Sequence, residues 1–355
     1  MHEDRLTFPA AKVEAQISAI LTAWGMAEEE ALVTSARMVE ADLRGIDSHG
    51  IFMLPAYDEW RRKGMLNMSA KTTVVRETGG TALLDADGGL GHDSATRAAH
   101  MAIEKAQAHG VSVVTVRNSQ HYGAAGVYAI MAAEAGLIGM SCSTVWKAAV
   151  VPTHACEPMF GTNPLAFAAP AERNPPFVLD MATSTVAIGK LKLARQAGVN
   201  IPAGWALGPE GQIVTDPGEA LVHRLLTPLG GYKGYGLAAM VEILSAALPG
   251  AMLSPLRKFG GPRADRDVGH FFMAIDPASF QDPLEFRQEV DAMIDALHTA
   301  DRSVPVQPVL VAGDPEHEAE RARSQRGIPL PASFLMEIDR LSAAAGASNI
   351  LTQAA

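Results

Sequence analysis

From about residue 72 onward, short β-branched runs alternate with helical stretches, and this alternation restricts the chain to layered α/β architectures. Thr72 to Glu77 and Ala82 to Asp85 flank Gly79-Gly80, as in a hairpin. DADGGLGHDSA leads into a helix expected over Ala95 to Ala108, capped near Asp93 or Ser94 and closed by Gly110. VSVVTVR predicts a buried strand ending at Arg117, NSQHYGAAGVY a turn and then a helix through Ala135, and LIGMSCS another strand. Further strands are expected at Leu165 to Ala169, Phe177 to Leu179 and His270 to Ile275. Helices are expected over Val186 to Ala197, Tyr235 to Leu248 and Pro283 to Ala300. The last carries the stripe Phe286, Val290, Met293, Ile294 and Leu297.

Residues 11–65 read differently, with three helical patterns and no convincing strand. Val13, Ile17, Ile20, Leu21 and Trp24 form one stripe. Leu32, Ser35, Met38, Val39 and Leu43 form the next, within a helix over Ala27 to Leu43 that Gly45 can end. Pro55 suits the first turn of a third helix. The tail is again helical over Pro315 to Gly327 and Pro331 to Ala345, and is expected to pack on the N-terminal helices. The division that follows is a helical unit, 1–70 joined by 315–355, and an α/β unit, 71–314.

The net charge of −10 argues against a nucleic-acid or anionic-membrane partner, since phosphate binding needs basic patches. Cys142 and Cys156, the 2 cysteines, indicate no disulfide framework, and each is expected as a buried thiol. The acidic MHEDRL start lacks the basic and apolar regions of a signal peptide. Leu237 to Leu248, interrupted by Glu242, is too short to span a bilayer. A cytoplasmic protein is expected. No HExxH, CxxC or paired-histidine pattern appears, so no metal is expected.

Chemistry is expected at three turns and one glycine-rich loop. Asp47-Ser48-His49-Gly50 lies between two helices, where Ser48 and Asp47 could orient or tune a histidine that titrates near neutrality. The same residues also suit an N-cap followed by a surface histidine. Asn118-Ser119-Gln120-His121-Tyr122-Gly123 joins a strand to a helix whose free N–H groups could meet a ligand beside His121. In FVLDMATS a strand delivers Asp180 to a small-residue turn, suited to a histidine, a ribose hydroxyl or a helix cap. The glycine-rich loop, GGYKGYG, presents Lys233 to a phosphate or carboxylate, although the order of a Walker A loop is absent. Nor does a GxGxxG follow the first strand, which counts against an ordinary Rossmann domain.

Together, DLRGIDSHG, VRNSQHYGAAGVYA, GTNPLAFAAP, PPFVLDMATS, IPAGWAL, PLGGYKGYGLA, VGHFFMAID and GIPLP resemble the second type of malate/L-lactate dehydrogenase family. That family also includes ureidoglycolate, sulfolactate and diketogulonate enzymes and reductases of cyclic imino acids. The resemblance implies a non-Rossmann three-layer α/β/α fold with a mixed sheet, NAD or NADP as cofactor, and a homodimer acting on a small molecule. It implies that His49 is the acid/base, that Ser48 and Asp180 support it, and that His121 lies beside nicotinamide and substrate. Cofactor contacts are implied at His121, Tyr122, Gly123, Ala124, Ala125, Ser143, Thr144, Asp180, Met181, Ala182 and Lys233. Gly313, Asp314 and Pro315 match a C-terminal cofactor segment.

One position departs from the pattern. Many members read SHGxxR, with an arginine suited to a substrate carboxylate, and in this chain that position is Met53. A thioether cannot form a bidentate ion pair, so a substrate other than a dicarboxylate is expected, with Arg44 or Lys147 as substitute cations. The leading expectation is hydride transfer between NAD(P) and a 2-hydroxy acid/2-keto acid pair. The alternatives are cyclic imino acid reduction and a catalytically silent binding protein.

Overall fold

The computed structural model describes residues 5–261 and 267–352. In chain order the elements are β1 (Arg5–Phe8), α1 (Ala10–Ala23), α2 (Glu28–Leu43), α3 (Leu54–Arg62), β2 (Thr73–Glu77), β3 (Thr81–Asp85), α4 (Gly91–His109), β4 (Val111–Ser119), α5 (Ala125–Glu134) and β5 (Ile138–Ser143). They continue with β6 (Leu165–Ala169), β7 (Phe177–Met181), α6 (Ile188–Ala197), β8 (Ala206–Leu207), β9 (Ile213–Val214), α7 (Pro217–His223), β10 (Leu225–Leu226) and α8 (Tyr232–Glu242). The last are β11 (Val268–Ile275), α9 (Pro283–His298), α10 (Asp314–Arg326), β12 (Ile328–Pro331) and α11 (Ala332–Ala345).

The main sheet has 7 strands in the order β2-β3-β4-β11-β5-β6-β7. Within it β3 and β4 run parallel, while the other neighbours are antiparallel. This mixed sheet is not a Rossmann sheet, whose strands are mostly parallel. Strand periodicity divides its side chains between two helical layers. Phe272 and Ala274 of β11 join Val114, Ala166 and the alanine face of α4 and α5. Phe271 and Met273, one residue out of phase, meet Val241 near the end of α8. Further along, Phe177 packs with Val290 and Ile294 of α9. The result is three layers, α/β/α.

A second core joins the two ends of the chain. Val13, Ile17, Leu21 and Met38 of α1 and α2 pack with Ile328, Leu330, Phe334 and Ile338 of β12 and α11. Strands β1 and β12 pair antiparallel at its edge, a pairing that the sequence pattern did not suggest.

Several expected details differ. Helix α4 begins at Gly91 rather than Ala95, because Gly91 fits where a Cβ would press on the Gln120 carbonyl and on Tyr122. Helix α8 gives way to a π turn over Ile243–Ala247 immediately after Glu242. That glutamate is buried and accepts from Asn163 Nδ2 at 3.0 Å. Helix α7 was missed, although Asp216 caps it by accepting the Glu219 N–H at 2.7 Å. Leu32, Met293 and Leu297, expected in apolar stripes, are exposed. Cys142 is buried as expected, but Cys156 is exposed, in the link between β5 and β6.

Candidate active site

The link from α2 to α3 is built by residues on both sides of it. Two 3₁₀ turns, Asp47–His49 and Ile51–Met53, fill the gap. Asp42, fully buried on α2, accepts the Ile51 N–H at 2.9 Å. Gly50 is required between them, because a Cβ there would overlap the Asp42 carboxylate. Arg323 of α10 donates to the Asp42 carbonyl at 2.6 Å and also bonds the Asp47 carboxylate. Asp47 is therefore engaged with Arg323 and does not orient the histidine. Ser48 does, with its Oγ 2.8 Å from His49 Nδ1. Burial holds His49 at a pKa of about 4, so its ring is neutral at pH 7.

His121, beyond the end of β4, faces His49 with ring centroids 5.4 Å apart and planes 26° from parallel. Its Nδ1 lies 2.7 Å from the Tyr57 hydroxyl and 3.3 Å from the Gly123 N–H. A backbone N–H can only donate, so Nδ1 is an acceptor and the ring proton of neutral His121 sits on Nε2. Burial, reinforced by His49, His92 and His270, keeps its pKa well below the ordinary value. Trp60 closes edge-on to His121 at 6.3 Å, and Trp146 stands edge-on to Trp60 at 6.0 Å. Lys147, one of the two suggested cations, follows Trp146 and is exposed; the Arg224 guanidinium nearby lowers its pKa. Met53 is half-buried and packs on the helical core.

A separate cavity of about 350 Å³ opens where β7, the start of α5 and the start of α10 converge. Asp180, Gly126, Gly313 and Pro315 line it. Asp180 Oδ2 accepts the Gly126 N–H at 2.8 Å, at the N-terminal end of α5. The dense surroundings of Asp180 raise its carboxyl to about 6. Its hydrogen bond thus goes to a helix start and not to Ser48 or His49, so Asp180 does not support His49 as expected. Gly313 has φ +102, and a Cβ on it would press on Val178. Arg44, expected as a substitute substrate cation, lies instead in this cavity wall, within 3.7 Å of Glu40 and 3.3 Å of Glu320.

The sequence profile of the malate/L-lactate dehydrogenases matches residues 8–339. The chain belongs to that family. A malate dehydrogenase of Pyrococcus horikoshii is 38% identical over 355 residues, covering 98% of both chains. The crystal structure of malate dehydrogenase from Entamoeba histolytica superposes with a TM-score of 0.92 at 33% identity, covering 98% of this chain and 99% of that one. Δ1-Piperideine-2-carboxylate reductase from Pseudomonas syringae pvar. tomato superposes with a TM-score of 0.84 at 28% identity, covering 95% and 99%.

In this member of the dehydrogenase family the remaining expected cofactor residues take several positions. Tyr122 is buried and lies flat on His270 at 4.5 Å, with its hydroxyl 3.2 Å from Ser141 Oγ. Gly123 has φ +83, and Ala124 and Ala125 enter α5. Ser143 and Thr144 are buried at the end of β5, where Thr144 Oγ1 accepts the Gly269 N–H at 3.1 Å. Met181 ends β7 and is half-buried; Ala182 follows it. Asp314 accepts at Oδ2 from His298 Nε2 at 2.7 Å and from the Val311 N–H at 2.8 Å. Lys233 is exposed on the first turn of α8, outside the Asp180–Gly313 cavity.

Sequence reasoning missed His270 and His92. His270 Nδ1 and Nε2 each lie 2.9 Å from a serine hydroxyl, Ser143 and Ser119, joining β4 and β5 through β11. With Tyr122 stacked on it, His270 fixes the turn that presents His121. His92, on the first turn of α4, is fully buried 6.3 Å from His121, and neither ring nitrogen has a hydrogen-bond partner among the described residues. VGHFFMAID and GLGHDSA contained both residues, but a histidine inside a strand or a helix start carries no local signal of what it faces. Among the described residues there is no group of three potential metal ligands, and no helix is long and apolar enough to cross a membrane.

Proposed function

We propose that this dehydrogenase passes a hydride between NAD(P) and a 2-hydroxy acid/2-keto acid pair, with His49 as the acid/base. The observation that carries this reading is the facing pair of neutral imidazoles, each engaged at Nδ1 from behind, His49 by Ser48 and His121 by Tyr57. Both rings therefore keep Nε2 for a substrate. The names of the relatives, malate dehydrogenases among them, support the hydroxy acid.

The cavity fits a dinucleotide's adenosine end. Val127, Ile130, Val178 and Leu310 give it apolar wall, and Gly126 and Gly313 stand where a Cβ would crowd Asp180 and Val178. Asp180, Gly313 and Pro315 would hold that end, and Lys233 would meet a phosphate. When bound, the nicotinamide supplies or accepts the hydride. Neutral His49 takes the hydroxyl proton at Nε2 as the hydroxy acid is oxidised, and returns it when the keto acid is reduced. Ser48 steadies Nδ1 throughout. His121 donates its Nε2–H to a substrate oxygen, and Trp60 limits water beside it. We extend the proposal to a cytoplasmic homodimer on the strength of family membership.

The solved piperideine-carboxylate reductase favours a second reading, reduction of a cyclic imino acid, in which the same His49 proton would go to an imine nitrogen. A panel of 2-keto acids and cyclic imines with NADH and NADPH separates the two. His49→Asn should lower turnover by about 10²–10⁴-fold while leaving cofactor binding largely unchanged. Turnover within a few-fold of wild type would remove His49 from the mechanism.

A further inference from the structure

The Asp180–Gly313 cavity has an electrostatic character that bears on which dinucleotide it takes. Its ionisable lining consists of Arg44, Asp180 and Glu316. Arg44, only 7% exposed, is the one cation among these, and it is already committed to carboxylates. Its Nη2 donates to Glu320 at 3.4 Å, and its Nε lies 3.7 Å from Glu40, which also pairs with Arg37 at 2.8 Å. Nη1 of Arg44 is buried and has no hydrogen-bond partner among the described residues. Glu316 stands near enough to Asp180 to raise its pKa.

We infer that this cavity selects a dinucleotide with a free ribose 2′-hydroxyl, NAD(H), and rejects the 2′-phosphate of NADP(H). The inference rests on the reading that the cavity holds the cofactor's adenosine end. A 2′-phosphate carries close to two negative charges and needs an uncommitted arginine or lysine. In this cavity it would enter beside Asp180 and Glu316, with Arg44 neutralised by Glu40 and Glu320. A ribose diol meets the opposite situation. Its hydroxyls can donate to a carboxylate of Asp180 or Glu316. Glu316 and Glu320 are thus specificity-determining residues, Glu316 by lining the pocket and Glu320 by holding Arg44.

The test is direct binding of NADH and NADPH to the intact protein, followed by quenching of tryptophan fluorescence. NADH should bind at least 10-fold more tightly than NADPH. In Glu316→Gln/Glu320→Gln the ratio should narrow by 5-fold or more, mainly through tighter NADPH, with an unchanged far-ultraviolet spectrum reporting the fold. Should the double variant unfold, Glu320→Gln alone must show the same direction of change. NADPH binding as tightly as NADH to wild type overturns the inference and leaves the enzyme reading intact. A ratio unmoved in the folded variants overturns it equally. If neither dinucleotide binds, the enzyme reading itself fails and this inference falls with it.

Discussion

The hydroxyl of Tyr57 stands 2.7 Å from Nδ1 of His121, and through that contact helix α3 helps determine the tautomer of a ring that belongs to the end of β4. The Gly123 N–H supports the same tautomer from the other side at 3.3 Å. Tyr57 is fully buried, and burial raises its own pKa well above the ordinary value, so it remains a neutral donor.

Tyr57→Phe should therefore keep the packing and lose the donor. One neutral hydrogen bond contributes about 0.5–1.5 kcal/mol, so kcat/KM should fall by roughly 2- to 13-fold. Nitrogen NMR of the His121 ring should show Nε2 protonation less exclusively populated. A variant with unchanged tautomer and kcat/KM would show that Tyr57 does not set the state of the His121 ring.

The Ser48-His49 turn also depends on Gly50, whose φ of −94° is open to any residue. The constraint is steric, since a Cβ would overlap Asp42. Gly50→Ala should destabilise the protein by about 1–3 kcal/mol, the usual cost of overpacking, and lower kcat as the turn shifts. Urea denaturation measures the first effect and steady-state rates the second. Gly50→Ala with wild-type stability would mean that Asp42 yields at little cost.

What the sequence revealed of this site depended on what kind of signal each residue carries. Strands β4, β6 and β11 followed from short continuous apolar runs, as expected where helices cover both faces of a sheet, and α1 and α2 followed from their apolar stripes. The sites of His49 and His121 were legible as polar turns between regular elements. The pairing of β1 with β12 was not, since it joins residues more than 300 positions apart, such as Arg5 and Pro331, and neither run alternates clearly. Asp47 and Arg44 were misjudged for a related reason. Their partners, Arg323 and Glu320, lie on α10, whose docking on the N-terminal helices was expected, but a helical pattern does not say which side chains pair across that contact.

His92 and His270 are fully buried, and burial lowers each pKa to about 3. In the unfolded chain each has a pKa of about 6.5. As pH falls below that value, the unfolded state gains protons that the folded state refuses, so these groups withdraw stability between about pH 6.5 and 3. Carboxyls of raised pKa such as Asp180, at about 6, act in the opposite direction, so the total slope is a balance. The contribution of His92 can be isolated by comparing wild type with His92→Gln. The slope of stability against pH from 6 to 4 should drop by about 1.4 kcal/mol per pH unit in the variant. Parallel stability curves for the two proteins would show that His92 does protonate in the folded state.

Met53 stands four residues after His49, at the end of the second 3₁₀ turn, half-buried against the helical core. If that position faces the substrate, the enzyme lacks the cation that many family members use to grip a second carboxylate. It should then favour a monocarboxylate over malate or oxaloacetate, despite similarity to malate dehydrogenases. Arg44 does not restore the cation, being held by Glu40 and Glu320. Met53→Arg should raise kcat/KM for a dicarboxylate relative to that monocarboxylate. A charge-assisted hydrogen bond of about 1.5–3 kcal/mol corresponds to a gain of roughly 10- to 150-fold. The competing account is that Met53 only packs beneath α3, in which case a buried arginine would lower stability and leave selectivity unmoved. Rates on malate and a panel of monocarboxylates, measured beside the melting temperature, decide between them. Wild type preferring malate to every monocarboxylate, or a folded Met53→Arg with the original preference, would put the specificity elsewhere.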